Sequence, residues 1–247
     1  MASELKPAAT DAVVLCGGKG SRLGGLTKDT PKPLLPIGEH PFLLHLLCRM
    51  RREGFGRFIL TTHYLAEKFQ GFLSKYAELL GDTIQVSEQE PLGTGGALKN
   101  AALYVQSPTF VAMNGDSYIS QPLMPVLDFH ARMGNYFTMV AVRAEKVSGG
   151  TTNKGALSMG AQDKIVGFAP GGRAHGWINA GIYVLDRVMV LSWPSGPYSL
   201  ESNLMSLLGP GEGYIFRSEG RLVDIGTPEC YAMANQDPGL FDLKNPS

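Results

Sequence analysis

The chain has 247 residues, a formal net charge of zero, 44% hydrophobic residues and 18% charged residues. This composition is typical of a globular protein, and the length suits one large α/β domain. Without a basic excess, nucleic-acid binding has no electrostatic support. No apolar run is long enough to cross a bilayer, and MASELKPAATD lacks the regions of a secretory signal. We therefore expect a cytoplasmic location.

The three cysteines are Cys16, Cys48 and Cys230. They lie far apart and form neither a CxxC pair nor a zinc-binding spacing, so reduced and mostly buried thiols are expected.

The first half of the chain alternates apolar runs with segments of helical spacing. These patterns predict strands at 12–16, 57–61, 84–87, 110–113 and 137–142, and helices at 41–53, 65–80, 97–105 and 123–133. Strands separated by helices imply parallel pairing with right-handed crossovers.

The second half is less regular. We predict a hairpin of strands 156–159 and 164–168, a strand at 178–185, a helix from an N-cap at Ser199 to Leu208, strands at 214–216 and 221–223, and a helix beginning at Pro228. With no internal repeat or linker, the expected fold is a single α/β domain over residues 1–247. It has a Rossmann-like, mixed and mostly parallel sheet flanked by helices, and a smaller antiparallel part. Residues 1–10 and 237–247 are expected to be flexible tails.

A glycine-rich loop follows the first strand directly, in the segment LCGGKGSRLGGLTKDTPKP at 15–33. Glycines let backbone N–H groups approach a phosphate closely. Arg22 can hold phosphate oxygens through two hydrogen bonds, and Lys32, between two prolines, acts as a point charge. The P-loop signature is absent, and Leu23 stands where the dinucleotide fingerprint needs its third glycine, which disfavours an NAD-dependent oxidoreductase. The loop predicts a polyphosphate site.

Other polar segments also follow predicted strands. Glu90–Ala97 comes after the third strand, and Asn114-Gly115-Asp116 comes after the fourth. Ligands of open α/β sheets bind beyond the carboxyl ends of the strands, so we expect one cleft. Asp116 at a strand end can hold Mg²⁺, although Asn-Gly-Asp is equally typical of a turn.

The motifs GGKGSRL and PKPLLPI resemble the signature of sugar-1-phosphate nucleotidyltransferases, and later segments match in order over nearly the whole chain. Those enzymes join a nucleoside triphosphate to a sugar 1-phosphate and release pyrophosphate. The resemblance implies a nucleotidyltransferase GT-A-like fold and catalytic roles for Arg22, Lys32 and Asp116. It also implies a Mg²⁺ site formed by Asp116 and Asp224, although VDIGTPE at 223–229 is also typical of a helix start.

The resemblance further implies two sets of substrate-binding residues. Nucleotide-binding residues are expected to be Leu15, Gly17, Gly18, Gly20, Ser21, Arg22, Glu90, Leu92, Gly93, Thr94, Gly95, Asn114 and Gly115. The glycines of the second loop would expose backbone groups to a base edge. Sugar-binding residues are expected to be Gly155, Arg173, Asn179, Gly181 and Glu201. For Glu201, a helix-capping acid is the alternative.

One segment departs from the family pattern. Relatives usually carry Glu-Lys-Pro after a strand like 164–168, and that lysine contacts the sugar phosphate. This chain has FAPGGR at 168–173 instead. Either Arg173 supplies the charge or Lys32 acts alone, which favours a substrate unlike glucose 1-phosphate.

The expected reaction is an in-line attack of a sugar 1-phosphate oxygen on the α-phosphorus of a nucleoside triphosphate, with no protein nucleophile. The segments EPLGTGGALKNA and VDIGTPE look most like those of bacterial D-glycero-α-D-manno-heptose 1-phosphate guanylyltransferases, which serve capsule and lipopolysaccharide synthesis. This favours GTP, a heptose 1-phosphate and Mg²⁺, and leaves a homo-oligomer open. Three alternatives remain: a uridylyltransferase acting on a hexose or N-acetylmuramic acid 1-phosphate, a non-catalytic nucleotide-sugar-binding regulatory module, and a glycosyltransferase, for which a D-x-D motif is missing.

Overall fold

The computed structural model describes residues 5–148, 155–169, 176–209 and 211–241. Its strands are β1 (Asp11–Leu15), β2 (Pro36–Ile37), β3 (His40–Pro41), β4 (Arg57–Thr62), β5 (Asp82–Ser87), β6 (Thr109–Asn114), β7 (Ser117–Ile119), β8 (Phe137–Arg143), β9 (Val147–Ser148), β10 (Ala156–Met159), β11 (Ile165–Ala169), β12 (Trp177–Asp186), β13 (Tyr214–Ser218) and β14 (Leu222–Asp224).

The α-helices are α1 (Phe42–Arg52), α2 (Ala66–Lys75), α3 (Ala77–Leu80), α4 (Gly93–Ala102), α5 (Met124–Met133), α6 (Arg187–Ser192), α7 (Leu200–Leu208) and α8 (Pro228–Gln236). Short 3₁₀ segments lie at Pro7–Ala9, Ser21–Thr27, Lys32–Leu34, Ala144–Lys146, Ala161–Asp163 and Pro238–Phe241. Within these described residues, no helix is long and apolar enough to cross a membrane.

The central sheet is mixed and mostly parallel. Strand β1 pairs in parallel with β4 and with β6, and β5 continues the parallel set beyond β4. Strand β12 runs antiparallel between β6 and β8, and β13 pairs with β8 in parallel. The predicted fold class is confirmed.

The two faces of the sheet carry separate cores. Along β1, Ala12 and Val14 pack into one core and Val13 into the other, and all three are fully buried. A parallel strand covered on both faces needs apolar residues at successive positions, which explains the uninterrupted apolar run. This places the polar loops at the strand ends, where β1 and β6 stop side by side at Leu15 and Asn114.

Several elements differ from the sequence prediction. The predicted helix 65–80 is two helices, because Tyr76 has non-helical dihedrals (φ −115°, ψ 19°). Helix α4 begins at Gly93 rather than Ala97. The short elements β2, β3, β7, β9 and α6 were not predicted. The hairpin of β10 and β11 and the Ser199 cap are confirmed: Ser199 accepts a hydrogen bond from Ser202 N.

Part of the segment expected to be a C-terminal tail, residues 238–241, has regular structure. These residues form a 3₁₀ turn, and Phe241 is only 1% exposed. Its ring packs against those of Phe42 and Tyr118, and its carbonyl oxygen lies 2.6 Å from His45 Nδ1. Burial of an aromatic ring outweighs the entropy of fixing a short segment, which polarity alone did not reveal. The single-domain assignment stays a prediction.

Candidate active site

The carboxyl ends of β1, β4, β5 and β6 border a cavity of ≈ 470 Å³, which we call the larger cavity. The ends of β1 and β6 meet beside this cavity, where Gly115 N donates to Leu15 O over 2.9 Å. The lining residues are Leu15, Cys16, Gly17, Gly18, Lys19, Lys32, Pro33, Thr61, His63, Glu88, Pro91, Gly93, Thr94, Ala97, Asn114 and Asp116.

Lys32 and Asp116 form an ion pair in the wall of the larger cavity. The Lys32 side chain is 10% exposed and that of Asp116 is 23% exposed. Burial by itself lowers the pKa of Lys32. The charge and hydrogen bond of Asp116, with a smaller contribution from Asp224, outweigh burial and the opposing charge of Arg22, so the pKa is raised. Lys32 is therefore a cation at any physiological pH.

Strand pairing brings Asp224 beside Asp116. In the small sheet β7–β14–β9, Asp224 pairs with Ser117, the residue after Asp116, and Ile225 N donates to Asp116 O over 3.0 Å. Asp224 is 9% exposed, and its Oδ1 accepts a hydrogen bond from Gly226 N. Asp116 and Asp224, which are more than a hundred positions apart in sequence, thus lie at one end of a ladder of three residue pairs.

Arg22 completes this group. A Cβ added to Gly226 would lie 3.1 Å from the Arg22 guanidinium and 2.6 Å from Asp224 Oδ1, so Gly226 lets arginine and aspartate approach each other. The structure thus brings together the four residues that the resemblance singles out for catalysis and metal binding: Arg22, Lys32, Asp116 and Asp224.

A second cavity of ≈ 270 Å³, the smaller cavity, adjoins the first, and Asn114 and Asp116 line both. Its lining residues are Arg22, Asn114, Asp116, Ser117, Gly155, Phe168, Asn179, Ala180, Gly181, Ser199, Glu201, Ser202 and Asp224. The expected sugar-binding residues Gly155, Asn179, Gly181 and Glu201 therefore lie together. Arg173 lies outside the described residues.

Two glycines shape the smaller cavity. Gly181 has φ 71°, and a Cβ there would lie 2.4 Å from Asn114 Nδ2, so β12 can pass the β6 loop only with glycine. Its N–H donates to Asn179 Oδ1 over 2.8 Å. A Cβ at Gly155 would lie 2.0 Å from the Phe168 ring. Both glycines therefore admit a neighbouring side chain.

Three glycines of the second loop lie against the segment before α7, and their expected role toward a base stays a prediction. A Cβ at Gly93 would lie 2.5 Å from Tyr198 O, and a Cβ at Gly95 would lie 2.1 Å from the Tyr198 ring. A Cβ at Gly96 would lie 2.3 Å from Gly196 O. The absence of side chains at these glycines therefore lets α4 pack against the segment that leads into α7.

The expected nucleotide-binding residues do not all reach the larger cavity. Leu15, Gly17, Gly18, Gly93, Thr94 and Asn114 line it, Arg22 lines the smaller cavity, and Gly20, Ser21, Glu90, Leu92, Gly95 and Gly115 line neither. Glu90 is exposed. Gly20 has φ 65°, and its Cα packs over Thr27 and Lys32, where a Cβ would lie 3.3 Å from Lys32 Cβ.

The sequence analysis missed Glu88, a carboxylate in the wall of the larger cavity. Its Oε2 accepts a hydrogen bond from Leu92 N over 3.1 Å. Its Oε1 is buried and has no hydrogen-bond partner among the described residues. Burial raises the pKa of Glu88, although the Leu92 hydrogen bond and the charge of His63 oppose the shift. The sequence signal that could have identified Glu88 is its position directly after β5, because ligand-binding residues are common at the carboxyl ends of strands.

Comparison with known proteins identifies the family of this chain. The family model described as "Nucleotidyl transferase" matches residues 11–238. The chain belongs to this nucleotidyl transferase family.

Relatives within the family include guanylyltransferases. A mannose-1-phosphate guanylyltransferase of Mycobacterium tuberculosis is 35% identical over 235 residues, which cover 92% of this chain and 64% of that protein. A D-glycero-alpha-D-manno-heptose 1-phosphate guanylyltransferase of Campylobacter jejuni is 30% identical over 223 residues, which cover 89% of this chain and 96% of that protein. This chain therefore spans slightly less than two thirds of the mannose-specific relative.

A solved structure has the same fold. HddC from Yersinia pseudotuberculosis, complexed with GMP-PN, superposes with a TM-score of 0.81 at 28% identity, covering 92% of this chain and 99% of that chain. The match supports the assigned architecture over almost the whole described chain.

Proposed function

We propose that this protein transfers GMP from GTP to a sugar 1-phosphate, with D-glycero-α-D-manno-heptose 1-phosphate as the acceptor, and releases pyrophosphate. The observation that carries the proposal is the junction of two cavities at Asn114 and Asp116, with Lys32, Arg22 and Asp224 around it. A two-substrate phosphoryl transfer needs two adjoining sites, with cations for the phosphate oxygens and carboxylates for a metal ion where the sites meet.

Glu88 supports guanine as the base. The Watson–Crick edge of guanine carries two adjacent donors, N1–H and the 2-amino group, and a carboxylate is their natural acceptor. Glu88 lines the larger cavity with one oxygen held by Leu92 N and the other without a partner in the described part of the chain. Leaving a buried acceptor unpaired costs about 1–3 kcal/mol, and a guanine toward which the carboxylate turns would recover it. The structurally similar HddC was solved in complex with GMP-PN, which also supports guanine as the base.

In the proposed mechanism the protein acts by position and charge. Lys32, held as a cation by Asp116, lies where the acceptor phosphate meets the nucleotide and offsets negative charge that builds up in the transition state. Arg22 lines the acceptor side of the junction and can hold phosphate oxygens. Cys16 also lines the larger cavity, but burial and the charge of Asp116 raise its thiol pKa, so it is not a nucleophile.

Asp116 and Asp224 fit the Mg²⁺ that the family resemblance implies. Among the described residues, no group of three His, Cys, Asp or Glu side chains could hold a metal alone. Mg²⁺ does not require such a group, because it is typically held by one or two carboxylates together with substrate phosphates. These two aspartates supply that hard oxygen donor set at the cavity junction. When bound, Mg²⁺ would neutralise phosphate charge.

The acceptor has two candidates that share the manno configuration. The heptose proposal follows the motif resemblance and the Campylobacter relative. Mannose 1-phosphate is the second candidate, because the Mycobacterium relative is more similar, at 35% identity. The two sugars differ by one hydroxymethylene unit, so only measured turnover distinguishes them.

The test is a matrix of the four common nucleoside triphosphates against heptose, mannose, glucose and N-acetylmuramic acid 1-phosphates, with Mg²⁺, scored by pyrophosphate release. We expect the largest kcat/KM for GTP with the heptose phosphate. Preference for UTP would favour the uridylyltransferase alternative. Binding of a nucleotide sugar without pyrophosphate release from any pair would show a regulatory module and overturn the proposal.

A further inference from the structure

Thr94 lies on the nucleotide side of the cleft but makes its hydrogen bonds to the acceptor side. It lines the larger cavity near the start of α4. Its hydroxyl donates to Glu201 Oε2 over 2.7 Å and accepts from Leu200 N over 2.8 Å. Glu201 and Leu200 belong to the first turn of α7, which borders the smaller cavity. One hydroxyl thus joins the two substrate sites across 107 positions of sequence.

Two further hydroxyls hold the same carboxylate. Ser199 Oγ donates to Glu201 Oε2 over 2.9 Å, and Tyr183 OH donates to Oε1 over 3.2 Å. Tyr183 is fully buried and its hydroxyl accepts a hydrogen bond from Asn179 Nδ2 over 2.7 Å. Burial and the neighbouring charge of Glu201 raise the pKa of Tyr183, so it remains a donor.

These contacts leave the carboxylate little freedom. A carboxylate offers about four acceptor positions, and the three hydroxyls of Thr94, Ser199 and Tyr183 fill three of them. The remaining position is on Oε1, which among the described residues accepts only from Tyr183. The orientation of Glu201 therefore depends on donors from three different segments, one of them on the nucleotide loop.

We propose that Thr94 is a positioning residue for the sugar acceptor: with Tyr183 it fixes the Glu201 carboxylate so that Oε1 accepts one sugar hydroxyl. The inference rests on the proposed function, since it takes the smaller cavity as the acceptor site. It predicts that a residue in the wall of the larger cavity affects the affinity for the sugar 1-phosphate, which binds in the smaller cavity.

The variants Thr94→Val, Thr94→Ser and Tyr183→Phe test this. Thr83→Val is the matched control, because Thr83 makes a side-chain hydrogen bond to Leu80 O at the opposite end of β5. KM is measured separately for GTP and for the sugar 1-phosphate by pyrophosphate release. Calorimetry measures binding of the sugar 1-phosphate in the presence of a non-hydrolysable GTP analogue, and thermal melting confirms folding.

We expect Thr94→Val to raise the sugar KM about tenfold while the GTP KM changes by less than about twofold, as for loss of one hydrogen bond to a charged group. Thr94→Ser, which keeps the hydroxyl, should restore the wild-type value, and Tyr183→Phe should act in the same direction. In a Glu201→Gln background, Thr94→Val should add little, because both changes break one network.

The proposal is overturned if Thr94→Val changes the GTP KM more than the sugar KM, or if Thr94→Ser behaves like Thr94→Val. If Thr94→Val does not fold, Tyr183→Phe gives the same test. If wild-type protein releases no pyrophosphate from any pair, the proposed function fails. Calorimetry then decides this inference alone, since weaker sugar phosphate binding by Thr94→Val supports it and equal or undetectable binding by both proteins overturns it.

Discussion

The two glycine-rich loops look alike in sequence but serve opposite purposes. In the first loop, a Cβ added to Gly18 would have nothing within 4 Å, and Gly18 lines the larger cavity. In the second loop, added Cβ atoms at Gly93 and Gly95 would collide with Tyr198. The first loop leaves its backbone open at Gly18, whereas the absence of side chains at Gly93 and Gly95 lets two segments pack together in the second loop.

The two loops also differ in what they contact. The open loop belongs to the part of the site that holds Lys32 and Asp116, whose contact lies where two cavities meet. The closed loop carries Gly95 N, which donates to Tyr198 O over 3.0 Å and so ties α4 to the segment before α7. We expect changes near the first loop to affect turnover, and changes in the second to affect stability or substrate discrimination.

The largest effect is expected for Lys32→Met. This change removes the buried cation at the cavity junction while keeping the aliphatic stem. Loss of one positioned charge in a site that excludes water typically costs about 10³-fold in kcat, or about 4 kcal/mol. Pyrophosphate release under saturating substrates measures it.

Lys28→Met is the matched control, because Lys28 is exposed and lies four residues earlier. We expect it to retain turnover within about twofold, as is usual for an exposed lysine. Lys32 has no catalytic role if the melting curve of Lys32→Met shows a folded protein and its kcat stays close to that of Lys28→Met.

Arg22→Ala is expected to lower kcat/KM by about 10²-fold, or about 3 kcal/mol, because a bidentate phosphate contact is lost. Arg22 is exposed and lines the smaller cavity beside Asp224, so the fold does not depend on it. Arg132→Ala, at an exposed position of α5, serves as the control. Near-normal turnover of Arg22→Ala would exclude Arg22 from the catalytic residues.

The first loop could be predicted because its information is local. A buried strand, a glycine run and Arg22 follow one another within a few residues, and parallel strands end at a common edge. The pairing of β14 with β7 could not be derived in this way. It places Asp224 opposite Ser117 through two short strands, of which β7 showed no periodicity strong enough to predict. Only the family resemblance indicated that Asp224 belongs to the site.

The second loop misled the prediction because its signals conflict. Glycine has poor helix propensity, so α4 was expected to begin at Ala97, yet contacts with Tyr198 support a helix from Gly93. Glu88 and Glu90 are two positions apart, so the alternation of a strand would place both side chains on the same face and does not distinguish them. The hydrogen bond from Leu92 N to Glu88 fixes which carboxylate turns inward, and that bond depends on tertiary structure.

Gly95→Ala and Gly18→Ala test the contrast between the loops directly. Overpacking at Gly95, where the added Cβ would lie 2.1 Å from the Tyr198 ring, should cost about 2 kcal/mol and lower Tm by about 4–8 °C. Gly18→Ala should leave Tm nearly unchanged and weaken GTP binding, because its Cβ enters the larger cavity. Calorimetric melting and GTP titration of both variants measure the two effects. Equal Tm losses would show that the loops do not differ as described.

The smallest effect is expected for Glu88→Gln, which alters discrimination between bases. Glutamine can still accept the hydrogen bond from Leu92 N, but its amide then turns a donor toward the donors of guanine. We expect the preference for GTP over inosine triphosphate, which lacks the 2-amino group, to fall about tenfold, or about 1.4 kcal/mol. Competition kinetics with both nucleotides measures the ratio, and the exposed neighbour Glu90→Gln is the matched control. A larger change in Glu90→Gln than in Glu88→Gln would assign base recognition to Glu90, as the sequence first indicated. It would also mean that the second loop closes further when the nucleotide binds.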